Sequence, residues 1–583
     1  MKEAKGLFVK AEGGKWRATW LFRLLFLVSA TAMTLGLSIY SGWAMVATRY
    51  TVPASSVVLC WLVFRHRLPE RLFAVYNKRI GVLSAVFAVF AVYEYAAAAC
   101  YRLSSYANKL PTFALIERGQ LEALFFAGLV LVFVCSVPAV FAALYAFYTR
   151  LAAVAGDWRR AADRIEKGYL LGAGLVFSLE AVLVFAATNV FYGANYVSVP
   201  DPETGGAVEE WIPFDIIYTT DSPAEVDSNV YFFTRAPIND LRNLLFALFA
   251  APFAIPCLLL ARLLFFWPAA YPLMINIVQI LLMLTCVVMF ARMLRLQGGA
   301  KILFLLAASS AYPVLLHLFA MGQYVFASFW LVLFVYAHTT GKEWDGDCLI
   351  AASGSLVTSA ALFPLLLRDK PVKAWGREIG LFCGKFAALT IVFGQLSVLA
   401  ALVAASVTKR GDIGHGLDFY LMHAGSGVGF ADRALQFLGF VATCFVKPAA
   451  AVGTFGRAFV SYQLAPVTSV NALGFVLLAL ALAGYALNRQ ELWAKIAMIW
   501  LAYSFIVLCL IGWGTPENGL VIYSLYFGWP YFILVFMCAE RALAKWKNLR
   551  YAIYIAATAA LVVVNGLGIA DLIGFAVTYY PLK

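Results

Sequence analysis

The sequence predicts an all-α fold, a polytopic transmembrane helical bundle with about 13–16 membrane segments. Its 583 residues are 63% hydrophobic and 13% charged, with a mean hydropathy of +0.83, whereas a soluble domain is about half apolar and a quarter charged. Apolar runs of about twenty residues, long enough to cross a bilayer core, recur along the whole chain. The alternating strands of about ten residues that mark an outer-membrane barrel are absent from the sequence.

The basic residues and the cysteines both fit this class. The formal net charge is +13, and the Lys and Arg residues gather in loops, as they do on the cytoplasmic side of membrane proteins. A nucleic-acid-binding protein would concentrate that charge on a soluble face, and no soluble segment here is large enough. The ten cysteines lie mostly inside apolar runs and form no C-x-x-C. This pattern is typical of small buried side chains, not of a disulfide scaffold or a metal site.

Basic loops give the orientation of the first half. The N-terminus, "MKEAKGLFVKAEGGKWRATWLFR", is basic and lacks the cleavage site of a secretory signal, so we place it in the cytoplasm. No Asn-x-Ser/Thr sequon is present, which favours a bacterial inner membrane. If the first five helices cross in turn, the basic loops 65–79 and 149–168 fall inside and residues 193–240 emerge outside. The predicted helices span residues 19–43, 52–64, 80–100, 122–148 and 169–192.

The second half of the chain is predicted to be interrupted at membrane depth. The basic segments 291–301 and 368–378 both favour the cytoplasmic side, which leaves an awkward number of spans between residues 240 and 488. We therefore expect a re-entrant or broken helix, with 444–459 as the strongest candidate because Pro448 interrupts it. The predicted regions are a four-helix N-terminal part (1–168), a core (169–340) and C-terminal helices (341–583).

The outer segment 193–240 is exceptionally acidic. One carboxylate at a helix centre costs about 2.5–3.5 kcal/mol to insert into a bilayer, so this segment must lie outside the lipid as a folded or semi-folded loop. Its nine acids are Asp201, Glu203, Glu209, Glu210, Asp215, Asp221, Glu225, Asp227 and Asp240.

Part of this segment resembles a known superfamily. "YTTDSPAEVDSNVYFFTRAPINDLRNLLFALFAAPFAIP" resembles the first outer loop of GT-C glycosyltransferases, which include protein O-mannosyltransferase-like enzymes. Asp221 stands at the place of the functional loop Asp, and Arg235 follows it. The run from Arg242 and Asn243 to Phe246 resembles the His-Pro-Leu-Phe step, with Asn243-Leu244 in place of His-Pro.

The resemblance extends over about residues 169–340, where Gln323-Tyr324 matches an acidic or amide residue followed by an aromatic one. It implies a GT-C-like core and a membrane enzyme that takes a sugar from a polyprenyl-phosphate donor. That enzyme passes the sugar to an acceptor hydroxyl at the outer face. The expected partners are therefore this lipid-linked donor and membrane lipids, with no nucleic acid and no cofactor.

The resemblance also implies roles for the acids and arginines. The acceptor hydroxyl needs a general base, for which Asp221 is the first candidate and Asp227 the second. Arg235 and Arg242 would stabilise the departing phosphate, with Asp240 and Asn243 beside them in the binding set. As alternatives, "DSP" and "DSN" are ordinary turn sequences, and the two arginines are suitable interfacial anchors.

Further candidates lie elsewhere in the chain. Glu517 and Asn518 form a second candidate substrate site among aromatic residues, which serve either as a sugar-stacking platform or as an interfacial belt. Glu180 is an acid inside a predicted membrane helix and is thus a functional candidate. The five histidines lack the spacing of metal ligands, so we predict no metal site and expect His317 to be a buried, hydrogen-bonded side chain.

Two other functions remain open. One is a transporter or flippase of a lipid-linked or small polar substrate, for which charges lining an intramembrane path would be expected; Glu180, Lys385 and Lys447 are the available residues. The other is a non-enzymatic membrane subunit for assembly or polymer export.

Overall fold

The predicted fold class is confirmed by the computed structural model. The described chain is built from α-helices together with three two-stranded antiparallel hairpins. Ten helices are long and apolar enough to cross a membrane, and four apolar helical segments are shorter, so this is a multi-pass integral membrane protein. The structure describes residues 8–10, 16–40, 44–73, 77–101, 118–188, 196–200, 207–211, 217, 231–232, 243–267, 269–393, 428–455, 457–462, 469–513 and 520–581.

The chain divides into two compact units. The first comprises Met1–Ala162, Tyr231–Leu259 and Asp369–Asp412, and the second comprises Asp163–Val230, Leu260–Arg368 and Ile413–Lys583. The elements of the first unit are β1 (Phe8–Lys10), β2 (Trp16–Ala18), α1 (Trp20–Tyr40), α2 (Ala44–Cys60, continued by a π-helical turn Trp61–Arg65), α3 (Leu68–Leu72), α4 (Lys78–Tyr101), α5 (Arg118–Ala161), most of α7 (Phe246–Leu263) and α13 (Val372–Val392).

The second unit contains the remaining helices and two of the hairpins. Its elements are α6 (Arg164–Ala187), β3 (Tyr196–Pro200), β4 (Ala207–Trp211), α8 (Ala270–Met293), α9 (Gly298–Ser309), α10 (Tyr312–Leu316), α11 (Gln323–Thr339), α12 (Asp345–Ser355), a 3-10 helix (Val357–Leu367), α14 (Phe430–Thr443), β5 (Ala450–Phe455), β6 (Arg457–Tyr462), α15 (Ser469–Asn488), α16 (Leu492–Phe505, continued by a π-helical turn Ile506–Leu510), α17 (Leu520–Ala542) and α18 (Lys547–Tyr579).

In the first unit, side chains replace backbone hydrogen bonds that prolines remove from the helices. α7 contains Pro252 and Pro256. Because Pro256 has no N–H, the carbonyl of Pro252 loses its helical donor, and the Tyr148 hydroxyl of α5 donates to it instead at 2.6 Å. This bond fixes α7 against α5 at the point where the helix ladder is weakest.

We name the two ends of the second unit after one residue at each end, Glu166 and Thr188. At the Glu166 end, α6 begins beside Arg292 of α8 and Lys301 of α9. At the Thr188 end, the Thr188 hydroxyl donates to the carbonyl oxygens of Ala576 and Tyr580 where α18 finishes. α6 and α18 therefore run in the same direction, and α8 runs against them.

Three segments of the second unit are too short to cross a bilayer as single helices. α9 has 12 residues and α14 has 14, so they reach about 18 and 21 Å, against a hydrocarbon core of about 30 Å. The 3-10 helix after α12 folds back, because Leu366 Cδ1 lies 3.9 Å from the position of a side chain on Gly346. All three segments lie between residues 240 and 488, where an interrupted helix is expected from the sequence.

Two sequence-based boundaries were wrong. The fourth helix was expected to end at residue 148 and to be followed by the basic loop 149–168, but α5 continues to Ala161 and α6 already begins at Arg164. The reason is that 149–161, "TRLAAVAGDWRRA", contains four Ala and three Arg, which favour helix even where charged residues interrupt the apolar run. Asp163 then caps α6 by accepting the backbone N–H of Glu166 at 2.8 Å.

Candidate functional site

Two helix interruptions of the second unit meet at one place. α9 ends at Ser309, and the short helix α10 begins at Tyr312 after a break, with Pro313 in its first turn. α14 ends at Thr443 and the chain then leaves the helix towards Pro448 and the β5–β6 hairpin. The two breaks are joined directly, since the backbone N–H of Tyr312 donates to the carbonyl of Phe445 at 3.2 Å. The segment 444–459, for which a re-entrant or broken helix was expected, forms no helix in its described residues and leads from the end of α14 into the β5–β6 hairpin.

Asn565 of α18 satisfies the backbone groups that these breaks leave without helical partners. Its side-chain N–H groups donate to the carbonyls of Ser310 and Phe445, each at 2.7 Å. Its Oδ1 accepts the backbone N–H of Lys447 at 2.8 Å. Asn565 is fully buried, so one amide fixes both interruptions to α18. Buried backbone groups that lack helical partners require such internal hydrogen bonds.

Lys447 lies along α18 on the side towards Thr188. Its stem runs over Gly568, where a Cβ would lie 2.7 Å from Lys447 Cδ. Its Nζ reaches Asp571 Oδ2 at 3.0 Å. Asn565, Gly568 and Asp571 recur every third residue and therefore line one face of the helix, which we call the Asn565 stripe.

Gln323 and Tyr324 lie at the start of α11, near the Thr188 end. The Tyr324 ring packs edge-on against Tyr523, with 5.2 Å between the ring centroids, and against Tyr526 at 6.4 Å. The Gln279 side chain donates to the carbonyl of Gly322, just before them, at 3.0 Å. The structure therefore brings the predicted Gln323-Tyr324 pair together with Tyr523, an aromatic residue that flanks the second predicted site.

The tyrosines of this aromatic cluster are held by hydroxyl groups. The Tyr526 hydroxyl lies 2.9 Å from the Thr358 hydroxyl and 2.6 Å from that of Ser359, at the tip between α12 and the 3-10 helix. The Trp513 indole N–H donates to the Tyr523 hydroxyl at 3.2 Å. His317 is buried, and its Nδ1 lies 2.8 Å from the carbonyl of Pro313, which confirms the expected buried and hydrogen-bonded histidine. The carbonyl can only accept, so Nδ1 carries the proton.

A cavity of about 70 Å³ lies beside the meeting point of the breaks. Its walls are apolar and aromatic, with Phe290 stacked on Trp529. Within the described chain, Ser328 Oγ and the Trp529 indole N–H are buried without a hydrogen-bond partner, and both residues line this cavity. The cavity is contained within the second unit and includes Cys444, at the tip after α14.

The Glu166 end holds a separate charged cluster. Glu166 accepts from Arg292 Nε at 3.0 Å and from Lys301 Nζ at 2.5 Å, and Lys301 also reaches Asp163 Oδ2 at 2.7 Å. Burial opposes ionisation of Asp163, but the hydrogen bonds from Lys301 and from the backbone of Glu166 outweigh it and lower the pKa of this carboxyl. Two cations and two carboxylates neutralise one another, so this cluster joins α6, α8 and α9 at that end.

Most of the predicted catalytic and binding residues lie outside the described chain. These are Asp221, Asp227, Arg235, Asp240, Arg242, Glu517 and Asn518.

Residues next to the predicted acids are described and buried. Ile217, four residues before Asp221, pairs with Val460 of β6 and is 4% exposed. Tyr231 and Phe232, which follow Asp227, are buried in the first unit, where the Tyr95 hydroxyl donates to the carbonyl of Phe232 at 2.8 Å. Ile217 is thus anchored in the second unit, and Tyr231 and Phe232 are anchored in the first.

The other described candidates are Asn243 and Glu180. Asn243 is half-buried just before α7. Glu180 is half-buried in α6, and among the residues described here no hydrogen bond or ion pair is found for it. The same part of the chain contains no group of three His, Cys, Asp or Glu side chains that could hold a metal ion.

Sequence reasoning missed Asn565, Gly568 and Asp571, and it missed the Glu166 cluster. The available signal was a polar residue inside an apolar run, as in "VVVNGLGIADL". Comparison of the chain with family models, with curated proteins and with solved structures found no match.

Proposed function

We propose that the protein is a membrane glycosyltransferase. It moves a sugar from a polyprenyl-phosphate donor to an acceptor hydroxyl at the extracytoplasmic face of a bacterial inner membrane, with the N-terminus in the cytoplasm. In this proposal the Thr188 end of the second unit faces outwards. Asp221 is the general base, Asp227 is the second candidate for that role, and Arg235 and Arg242 bind the phosphate.

The supporting observation is the packing of Ile217. Ile217 belongs to one buried core with Val460, Val325 and Val521. Val325 follows Tyr324, and Val521 lies two residues before Tyr523. The chain that leads to Asp221 is therefore fixed to the same core that carries the aromatic cluster, whereas a free loop would leave the carboxylate without a defined partner surface. The half-buried ring of Tyr324 provides an aromatic face of the kind that suits the apolar face of a sugar.

Asp221→Asn is the direct test of the general base. The substitution keeps the size of the side chain and removes its basicity, so the transfer rate should fall by about 10²–10⁴. Surface glycans of cells that carry the variant would be profiled, and transfer from a polyprenyl-phosphate sugar would be measured with purified protein. Asp201→Asn, in the same acidic segment, is the matched control and should leave transfer unchanged. A normally expressed Asp221→Asn variant with an unchanged glycan profile would refute the assignment.

The interruptions favour a second candidate function, a transporter or flippase. Transporters place substrates at discontinuous helices near the bilayer midplane, and here the breaks after α9 and α14 meet at Asn565. Reconstituted vesicles separate the two functions. A flippase moves a labelled lipid-linked sugar between leaflets without an acceptor, whereas a transferase consumes it only when an acceptor is present.

A further inference from the structure

Both the backbone and the side chain of Lys447 are held in place by α18. Three groups of α18 determine where it lies: Asn565 binds its backbone N–H, Gly568 leaves room for its stem, and Asp571 contacts its ammonium at 3.0 Å. The interruption after α14 and Pro448 immediately behind it bring this lysine onto the stripe.

Stability alone does not account for this arrangement. The Lys447 side chain is 39% exposed and that of Asp571 is 74% exposed, and exposed ion pairs contribute little to stability. A glycine inside a helix is itself destabilising relative to alanine, yet Gly568 is what lets the lysine lie flat on α18. The arrangement therefore serves to hold an ammonium group at a defined place.

The Lys447 ammonium can donate a hydrogen bond to a second partner besides Asp571. An ammonium has three N–H donors, and Asp571 is the single side chain that the structure gives it in the described chain. The Glu166 cluster differs, because Lys301 there is 6% exposed and bound to two carboxylates. Lys447 is thus a partly exposed cation within a largely apolar bundle, suited to an anion that is carried by a lipid.

We propose that Lys447 binds the phosphate group of a lipid-linked substrate, and that Asp571 holds the ammonium while no substrate is bound. The phosphate displaces the carboxylate as the partner of Nζ, and no covalent bond changes. This inference rests on the proposed function for the class of ligand, a phosphate on a prenyl chain. It assigns that phosphate a cation outside the acidic segment, on the interruption after α14.

The test is a binding measurement on the full-length protein in lipid nanodiscs. Radiolabelled farnesyl phosphate is the probe, and its Kd is measured by equilibrium dialysis. Lys447→Gln should raise the Kd at least about tenfold, the effect of one lost charge-assisted contact. Asp571→Asn should lower the Kd several-fold, because it removes the competing carboxylate. Lys447→Arg should bind within a few-fold of wild type, which shows that the site folds when a cation is present.

Opposite effects of the two variants distinguish binding from a structural ion pair. If Lys447 and Asp571 only stabilise the fold, both substitutions shift the unfolding midpoint alike and neither changes the Kd, and the proposal is overturned. Farnesol competing as well as farnesyl phosphate would show that the prenyl chain alone is recognised, which also overturns it. Inorganic phosphate competing equally well would indicate a soluble anion and overturn the lipid assignment.

Binding and transfer can fail independently. An Asp221→Asn protein should still bind farnesyl phosphate, because a general base acts on the acceptor hydroxyl and farnesyl phosphate carries neither the sugar nor the acceptor. If Lys447→Gln leaves binding unchanged while Asp221→Asn abolishes transfer, the lysine assignment is wrong and the transferase stands. If the lysine variants behave as expected and Asp221→Asn has no effect on transfer, the lipid-phosphate site stands without the proposed reaction.

Discussion

Asn565→Leu is the most informative single substitution, because one amide satisfies two interruptions. The variant keeps a side chain of similar size and removes three hydrogen bonds, those to Ser310, Phe445 and Lys447. The carbonyl of Phe445 retains the N–H of Tyr312. The carbonyl of Ser310 and the N–H of Lys447 lose the one partner that the described structure gives each of them.

The loss of stability caused by Asn565→Leu can be calculated in two ways. Side-chain hydrogen bonds in membrane proteins average about 0.6 kcal/mol, with a maximum of about 1.7, so three of them amount to about 2–5 kcal/mol. Two buried backbone groups left without partners cost about 1–3 kcal/mol each, or about 2–6 kcal/mol together. The two ranges overlap, and the free energy of opening at the breaks should fall by about 2–5 kcal/mol.

Hydrogen exchange followed by mass spectrometry measures this opening locally. Peptides that cover residues 310–312 and 444–447 should exchange at least about 30-fold faster than in wild type, since 1.4 kcal/mol corresponds to a factor of ten. Thr578→Val is the matched control. It removes one hydroxyl hydrogen bond to Gly574 on an exposed face of the same helix, and it should leave both peptides unchanged. Exchange within about threefold of wild type in Asn565→Leu would refute the account.

Three further predictions follow from close packing and from buried charge. Gly568→Ala should destabilise the protein by about 1–3 kcal/mol, because its Cβ would meet Lys447 Cδ at 2.7 Å. Gly566→Ala meets nothing within 4 Å and should be neutral or stabilising by up to about 1 kcal/mol. Equal thermal midpoints for the two variants would contradict this prediction. Gly474→Ala should prevent α14 from packing on α15, since its Cβ would overlap the Leu438 carbonyl oxygen. Disulfide trapping between the two helices would report the loss, and intact trapping would count against it. Glu166→Gln should lower the free energy of unfolding by about 3–5 kcal/mol, because it leaves the charges of Arg292 and Lys301 partly uncompensated. Asp157→Asn breaks an exposed pair with Arg160 and should change the free energy of unfolding by less than about 1 kcal/mol. Similar losses in both variants, measured by thermal unfolding, would argue against the buried cluster.

The helices could be predicted from the sequence because each apolar run carries its own signal. Errors arose where helix continues into a segment with several charged residues, as at 149–161 of α5, since hydropathy responds to lipid contact and not to helical backbone. Pro448 lies beyond the end of α14 at Thr443, so it indicates only approximately where that helix stops. Pro313 marks the other break equally well, but its neighbours are so apolar that the segment reads as continuous membrane helix.

The site was less predictable because its partners are distant in the chain. The sequence selected Gln323-Tyr324 and the aromatic run near Tyr523 as separate features, and only the tertiary structure places their rings 5.2 Å apart. Asn565 binds Lys447 and Ser310, which are 118 and 255 residues away. An Asn in an apolar run indicates a buried polar contact, but the sequence does not identify the backbone groups that it satisfies.

The two charged sites of the second unit, the Glu166 cluster and the Lys447–Asp571 pair, differ in their exposure. At the Glu166 end, opposite charges are buried and balanced, and removing either sign leaves an uncompensated charge, which is the behaviour of a structural joint. At Lys447 the ion pair is exposed, its lysine rests on a glycine, and its backbone is tied to an interrupted helix. An ion pair that only joins helices is buried, whereas a site that exchanges ligands must be accessible to them and must have a fixed geometry. This contrast supports the proposal that substrate binds at the Thr188 end, where the Asn565 stripe, the start of α11 and Ile217 lie.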